Sequence, residues 1–399
     1  MTDEFYRIKR LPPYVIAEVN GMRAAARAAG RDIIDLGMGN PALPPPQHGL
    51  DKLCEVAMKP GAHGYSQSKG IPGLRRAQAN YYGRRFGVEL DPESEVVVTM
   101  GSKEGLASLA TAITTPGDVV LAPNPSYPIH TFGFIIAGAT IRSVPTTPDE
   151  NYFASLERAM AFTVPRPSIL VVNYPSNPTA ETVDLAFYER LVAWAKENKV
   201  WVISDLAYSE LYYDGNPTVS ILQVPGAKDV AVEFTSLSKT FSMAGWRIGF
   251  AVGNRQLIAA MTRVKSYLDY GAFTPIQAAA CAALNGPQDI VEANRALYHK
   301  RRDVLVEAMG RAGWDIPPPR ASMFAWAPLP PALAHLGSLE FSKQLLLHAE
   351  VAVAPGVGYG EDGEGFVRIA LVENEQRLRQ AARNVKRWFA SMGHNSDAA

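Results

Sequence analysis

The chain has 399 residues, 47% hydrophobic and 20% charged, with 39 Lys and Arg against 39 Asp and Glu. That length can bury a large core and a smaller second one, and the charge balance gives no global electrostatic pull toward nucleic acid or an anionic membrane surface. The two cysteines, Cys54 and Cys281, and the seven scattered histidines show no metal-ligand spacing, so no metal is expected. The opening MTDEFYRIKR carries acids and leads into no apolar signal core, and no charge-free apolar run reaches eighteen residues, so a cytoplasmic chain without a bilayer span is expected.

Residues 1–20 read as an arm that is polar at first and reaches Pro12-Pro13-Tyr14. A short helix is predicted over 20–29, stopped by Gly30. A strand over 33–41 then runs into Gly37-Met38-Gly39-Asn40-Pro41, where backbone N–H groups can meet an anion. Prolines 44–46 mark a linker.

From 48 to 290 helical and strand patterns alternate. Strands are predicted at 95–99, 119–122, 140–144, 168–173, 200–205, 230–234 and 246–252. Most are continuous apolar runs, the mark of strands buried on both faces. The fold class is therefore α/β, a mainly parallel seven-stranded sheet between helices. A long helix over 289–309 leads into 322–327, a further helix at 338–349, 351–356, 365–371 and a last helix over 375–389, which read as a smaller α/β domain with an antiparallel sheet. The tail beyond Met392 is expected to fray. The expected division is an arm with a small-domain segment at 1–47, a large domain at 48–290 and a small C-terminal domain at 291–399.

Ligands of such sheets bind beyond the carboxyl ends of the strands, so the residues following each strand are the candidates. Gly101, Ser102 and Lys103 open a helix after the first strand, a candidate anion site as well as an ordinary cap. Asn124-Pro-Ser-Tyr127-Pro128 is a rigid turn that can hold a ring, and Tyr174-Pro-Ser-Asn177-Pro178 presents an amide. Asp205 ends an apolar run with Tyr208 three residues on; a buried carboxylate needs a cationic partner, and none is near in sequence. Ser236 and Ser238 precede Lys239, with Arg247 eight residues later. Lys239 is either a solvated loop lysine or a desolvated amine of lowered pKa that can serve as nucleophile and base. Arg368 lies inside an apolar strand, either paired with a core acid or placed to bind a carboxylate.

A lysine amine, a phosphate cradle, an arginine, an aromatic plate, an amide, a phenol and a partnerless acid fit pyridoxal phosphate, whose ring nitrogen would be the partner missing from Asp205. The residues Asn177-Pro178, Asp205-x-x-Tyr208 and Ser236-x-Ser238-Lys239 with Arg247 resemble the fold-type I, class I pyridoxal phosphate aminotransferases. Within that family Leu36-Gly-Met-Gly-Asn-Pro, Gly101-Ser-Lys-Glu-Gly, the segment from Asn124 to His130 and Lys265-Ser-Tyr-Leu-Asp-Tyr-Gly are most similar to bacterial alanine (glutamate-pyruvate) transaminases.

The resemblance implies ping-pong transfer of an amino group between an L-amino acid and a 2-keto acid, L-alanine and 2-oxoglutarate foremost. The alternatives are aspartate, aromatic, methionine or LL-diaminopimelate specificity, or a C–S β-lyase. It implies that Lys239 bonds the cofactor and moves the proton. Asp205 would meet the ring nitrogen, Tyr208 and Asn177 the ring hydroxyl, and Tyr127 the ring face. Ser102, Lys103, Ser236, Ser238 and Arg247 would hold the phosphate. Arg368, with the Gly39 backbone and Asn177, would clamp the substrate α-carboxylate. Tyr65 and Tyr270 would reach in from a second subunit, making the enzyme a homodimer with shared sites.

Overall fold

The computed structural model describes residues 5–12 and 15–396; Pro13, Tyr14 and the extreme termini, parts of the expected arm and tail, lie outside them. In chain order the strands are β1 (Ile34–Asp35), β2 (Val96–Thr99), β3 (Val119–Asn124), β4 (Thr140–Pro145), β5 (Ile169–Asn173), β6 (Trp201–Asp205), β7 (Ala231–Ser236), β8 (Gly249–Gly253), β9 (Phe324–Pro328), β10 (Val351–Ala352), β11 (Ala354–Pro355) and β12 (Phe366–Ala370).

Seven of them form one sheet in the order β2-β8-β7-β6-β5-β3-β4. Only β8 runs against its neighbours, β2 and β7. The continuous apolar runs have a direct cause: successive residues of one strand enter different cores. Val172, Val202 and Phe250 pack on one face, while Val171, Ile203 and Ala251 pack on the other. Only β4, at the edge, has mostly exposed or half-buried side chains.

A second, three-stranded antiparallel sheet has the order β11-β12-β9, and β1 pairs in parallel with β10. Ile34 and Leu36 pack into the same core as Phe324, Trp314, Ile369 and Trp388. The start of the chain thus shares its packing with the end.

Several boundaries differ from the sequence reading. The strand expected at 246–252 begins only at Gly249, because Ala244–Trp246 form a 3-10 turn and Arg247 adopts a left-handed φ of 56°. The strand expected at 33–41 shrinks to two residues, since the Asp35 carboxylate accepts the Gly37 N–H and turns the chain. The helix expected over 20–29 spans Val15–Ala28, and the last helix, Glu375–Ser396, continues past Met392. Among the described residues no helix is long and apolar enough to cross a membrane.

Candidate active site

The carboxyl ends of β5, β6 and β7 open into a cavity of roughly 540 Å³. Twelve of the residues singled out from the sequence line it: Gly39, Ser102, Lys103, Tyr127, Asn177, Asp205, Tyr208, Ser236, Ser238, Lys239, Arg247 and Arg368.

Lys239 sits on a one-turn helix, Leu237–Thr240, started by the Ser236 hydroxyl, which accepts the Ser238 N–H at 3.1 Å. This cap ends β7 abruptly and turns the lysine back over the strand ends. Its Nζ donates to the Gly39 carbonyl at 2.5 Å. Burial, and then the charges of Arg368 and Arg247, bring its pKa down from 10.5 to about 8. The desolvated-amine reading of Lys239 fits this environment; a solvated loop lysine does not.

Asp205 ends β6 and is buried. The expectation that it lacks a partner of its own is corrected: His130 Nε2 lies 2.9 Å from Asp205 Oδ2, and the Ala207 N–H donates to Oδ1 at 3.2 Å. Where the carboxylate is ionised it can only accept, and Nε2 is then the donor. His130 is fully buried in the helix Ile129–Ala137, stands edge-on to Tyr127, and its Nδ1 finds no partner among the described residues. Sequence reading gave His130 no role because it lies 75 positions from Asp205. Its place just after the Tyr127 turn was the one available signal.

Asn177 and Tyr208 belong to one chain of contacts. Asn177 Nδ2 donates to the Tyr208 hydroxyl at 3.4 Å, and its Oδ1 accepts from Arg368 Nη1 at 2.8 Å. Asn173 steadies this group by accepting the Asn177 N–H and donating to the Asp205 carbonyl at 2.7 Å. Burial raises the pKa of the Tyr208 phenol, and burial followed by the Asp205 charge raises that of Tyr127. Both stay protonated donors near neutral pH.

Arg368, on β12, pairs with no acid among the described residues, contrary to the core-acid reading. Nη2 donates to the Gly37 carbonyl at 2.8 Å, and the guanidinium lies 3.9 Å from the Phe324 ring centroid and 4.9 Å from that of Tyr359. Phe324 and Tyr359, both cavity-lining, were not found from sequence. Two rings and two neutral oxygens hold the arginine flat with its charge uncompensated, a surface suited to a carboxylate.

The opposite end of the cavity is an anion cradle. Gly101, at φ 82°, precedes the helix Ser102–Ile113, whose first turn has no side-chain cap. Arg247 donates to the Ala244 and Met100 carbonyls and meets no acid among the described residues. A Cβ at Gly101 would fall 2.1 Å from Arg247 Nη2, and one at Gly249 would fall 2.7 Å from the Ser102 nitrogen. The space is therefore kept open by two glycines.

Tyr65 and Tyr270 do not join this cavity. They are 89% and 62% exposed and lie against each other, tilted by 31° with ring centroids 4.6 Å apart. Their absence from the cavity of their own chain is geometrically compatible with a role in a neighbouring subunit.

The residues present fit pyridoxal phosphate: an anion cradle of helix N–H groups with an arginine, a ring-sized plate in Tyr127, a buried acid backed by an imidazole, and a lysine amine of lowered pKa.

Residues 31–385 match the family model described as aminotransferase class I and II. AatC of Rhizobium meliloti (strain 1021) is 64% identical over 98% of this chain and 96% of its own length. The glutamate-pyruvate aminotransferase AlaC of Escherichia coli (strain K12) is 54% identical over 98% of this chain and 94% of its own. Among solved structures, substrate-bound BacF from Bacillus subtilis superposes with a TM-score of 0.92 at 34% identity, covering 97% of this chain and 98% of that one.

Proposed function

The chain belongs to the class I and II aminotransferases, and we propose that it moves the amino group between L-alanine and 2-oxoglutarate, giving pyruvate and L-glutamate. It is an aminotransferase, working on amino and 2-keto acids with pyridoxal phosphate. When bound, that cofactor supplies an aldehyde that links to amines and a protonated ring that withdraws electrons from Cα.

The chain's own residues do the rest. The α-carboxylate of the substrate docks on Arg368, which Asn177, Gly37 and Phe324 hold in place. Lys239, its pKa lowered, takes the Cα proton and returns it on the product side. Asp205, steadied by His130, would keep a proton on the ring nitrogen. Ser102, Lys103, Ser236, Ser238 and Arg247 would hold the phosphate, and Tyr127 would back the ring. Arg368 works against decarboxylation, because the group it clamps is the one that would have to leave.

One observation carries this assignment of roles: an amine of lowered pKa, an imidazole-backed acid and an arginine that meets no acid among the described residues share one cavity. Small-substrate specificity is supported by the AlaC relative, and by Ile16, Met38 and Phe324 lining the same cavity, apolar surface that a methyl group can cover. Arg23 and Lys69, candidate readers of a distal carboxylate, are engaged by Asp35 and Glu93, and Arg263 does not line the cavity.

The enzyme works as a cytoplasmic homodimer, with Tyr65 and Tyr270 completing the partner's site. Residues 48–290 form the cofactor domain, and 1–47 join 291–399, a grouping supported by the pairing of β1 with β10. The test is the absorbance of the cofactor-loaded protein mixed separately with alanine, glutamate, aspartate, phenylalanine, methionine and diaminopimelate. Loss of the yellow form with alanine and glutamate, reversed by pyruvate and 2-oxoglutarate, is expected. Response to another set alone overturns the alanine assignment, and pyruvate release without a keto-acid acceptor from a cysteine conjugate would favour the β-lyase.

A further inference from the structure

Lys265 is fully buried, yet it does not line the active-site cavity and takes no part in the chemistry above. A buried ammonium is retained only where partners hold it, and its two partners lead in different directions. On one side Nζ donates to Glu104 Oε1 at 3.1 Å. The other oxygen of Glu104 accepts the Met100 N–H at 2.8 Å, and the Met100 carbonyl accepts from Arg247. Glu104 therefore fixes the turn that presents Gly101 and the first N–H groups of the Ser102 helix.

On the other side Nζ donates to Asp269 Oδ2 at 2.9 Å, one helical turn on. Asp269 Oδ1 accepts the Gly271 N–H at 2.6 Å, closing a turn around Tyr270. Its carbonyl accepts the Ser68 hydroxyl, and a Cβ on Gly271 would fall 2.2 Å from the Gln67 carbonyl. This turn is thus pressed against the loop that carries Tyr65, which Gln277 holds at Ser66 from the far side. The exposed Tyr65–Tyr270 pair continues into the contact between His63 and Phe273.

We propose that Lys265 is a positioning residue that ties the anion cradle at the head of the Ser102 helix to the Tyr65–Tyr270 face, so that cofactor binding and pairing with a second copy of this chain strengthen one another. This rests on the cofactor and homodimer readings above. One lysine spans both structures, and removing it leaves two carboxylates facing each other across the junction, which pushes both turns out of place. Coupling of this kind is reciprocal: whatever factor the cofactor adds to dimer affinity, the dimer adds to cofactor affinity.

The test uses the full-length cofactor-free chain. The dissociation constant of pyridoxal phosphate is measured by equilibrium dialysis, and dimer dissociation by sedimentation velocity with and without saturating pyridoxal phosphate. In the wild type the cofactor should tighten the dimer, and in Lys265→Met that tightening should shrink to what the tyrosines supply by direct contact across the interface. The two arms should separate. Glu104→Gln weakens the charge-assisted hold on the Met100 turn and should lower pyridoxal phosphate affinity by roughly tenfold without loosening the cofactor-free dimer. Asp269→Asn should loosen the cofactor-free dimer and, at concentrations where it is fully dimeric, leave pyridoxal phosphate affinity unchanged.

Equal coupling in wild type and Lys265→Met overturns the proposal, as does a wild-type dimer indifferent to the cofactor. Should Lys265→Met fail to fold, the Glu104→Gln, Asp269→Asn cycle decides: reduced coupling in either single variant supports the link, and unchanged coupling refutes it. Failure of the wild type to bind pyridoxal phosphate, or to dimerise, would instead defeat the reading on which the proposal rests.

Discussion

The depressed pKa of Lys239 makes the cofactor-free protein carry a measurable cost. At pH 7 the lysine is mostly protonated in the folded chain, where its pKa is about 8, and almost wholly protonated in the unfolded chain, where its ordinary value is 10.5. Holding that charge in the cavity costs about 3 kcal/mol, since each pKa unit is worth about 1.4 kcal/mol. Between these two values the unfolded state binds more protons than the folded one, so stability contributed by this site rises with pH through that window. Lys239→Met removes the charge and keeps most of the volume. It also forfeits the hydrogen bond to the Gly39 carbonyl, so the informative quantity is how its advantage over wild type changes with pH.

Urea unfolding of both cofactor-free proteins should show the difference in unfolding free energy shrinking by roughly 2 kcal/mol between pH 7 and pH 9.5. A difference that stays constant across that range would mean that Lys239 is not desolvated in the folded chain, and would remove the physical basis for its role as the base. The same site predicts that capture of pyridoxal phosphate by the cofactor-free enzyme accelerates as pH rises toward 8 and then levels.

Asp205→Asn should slow Cα proton removal by orders of magnitude in single-turnover measurements, because an amide cannot hold the proton on the ring nitrogen; an unchanged rate would show that the acid has no electronic role. Arg368→Ala should raise KM for every amino acid alike, as expected for a reader of the shared α-carboxylate, and a selective rise for one substrate would make it a side-chain reader instead. Gly101→Ala places a methyl group 2.1 Å from Arg247 Nη2 at a residue with φ of 82°, so equilibrium dialysis should find pyridoxal phosphate affinity reduced by at least about tenfold. Wild-type affinity in that variant would show that the cradle is elsewhere.

Much of this molecule is legible in local chemistry. Most of the seven central strands announce themselves because residues buried alternately in two different cores are mostly apolar, the edge strand β4 being the exception, and their carboxyl ends name the candidate side chains that follow them. Turn residues mark the loops, and Ser236-Leu-Ser238-Lys239 combines a cap with an amine in four positions. Boundaries were less legible: the left-handed Arg247 and the side-chain turn at Asp35 each shorten a strand, and neither conformation is dictated by residue type alone.

What the sequence determined by itself was the inventory: which residue types follow which strand, and hence a lysine, an acid, an arginine and an anion-binding helix start in one protein. Partnership was decided only by tertiary structure, because it depends on contacts between segments far apart in the chain. His130 meets Asp205 across 75 positions, Arg368 meets Asn177 across 191, and Lys265 meets Glu104 across 161. Hydrophobic periodicity reports which face of an element is buried, but hydrogen bonds act over about 3 Å, and only folding brings such groups within that reach.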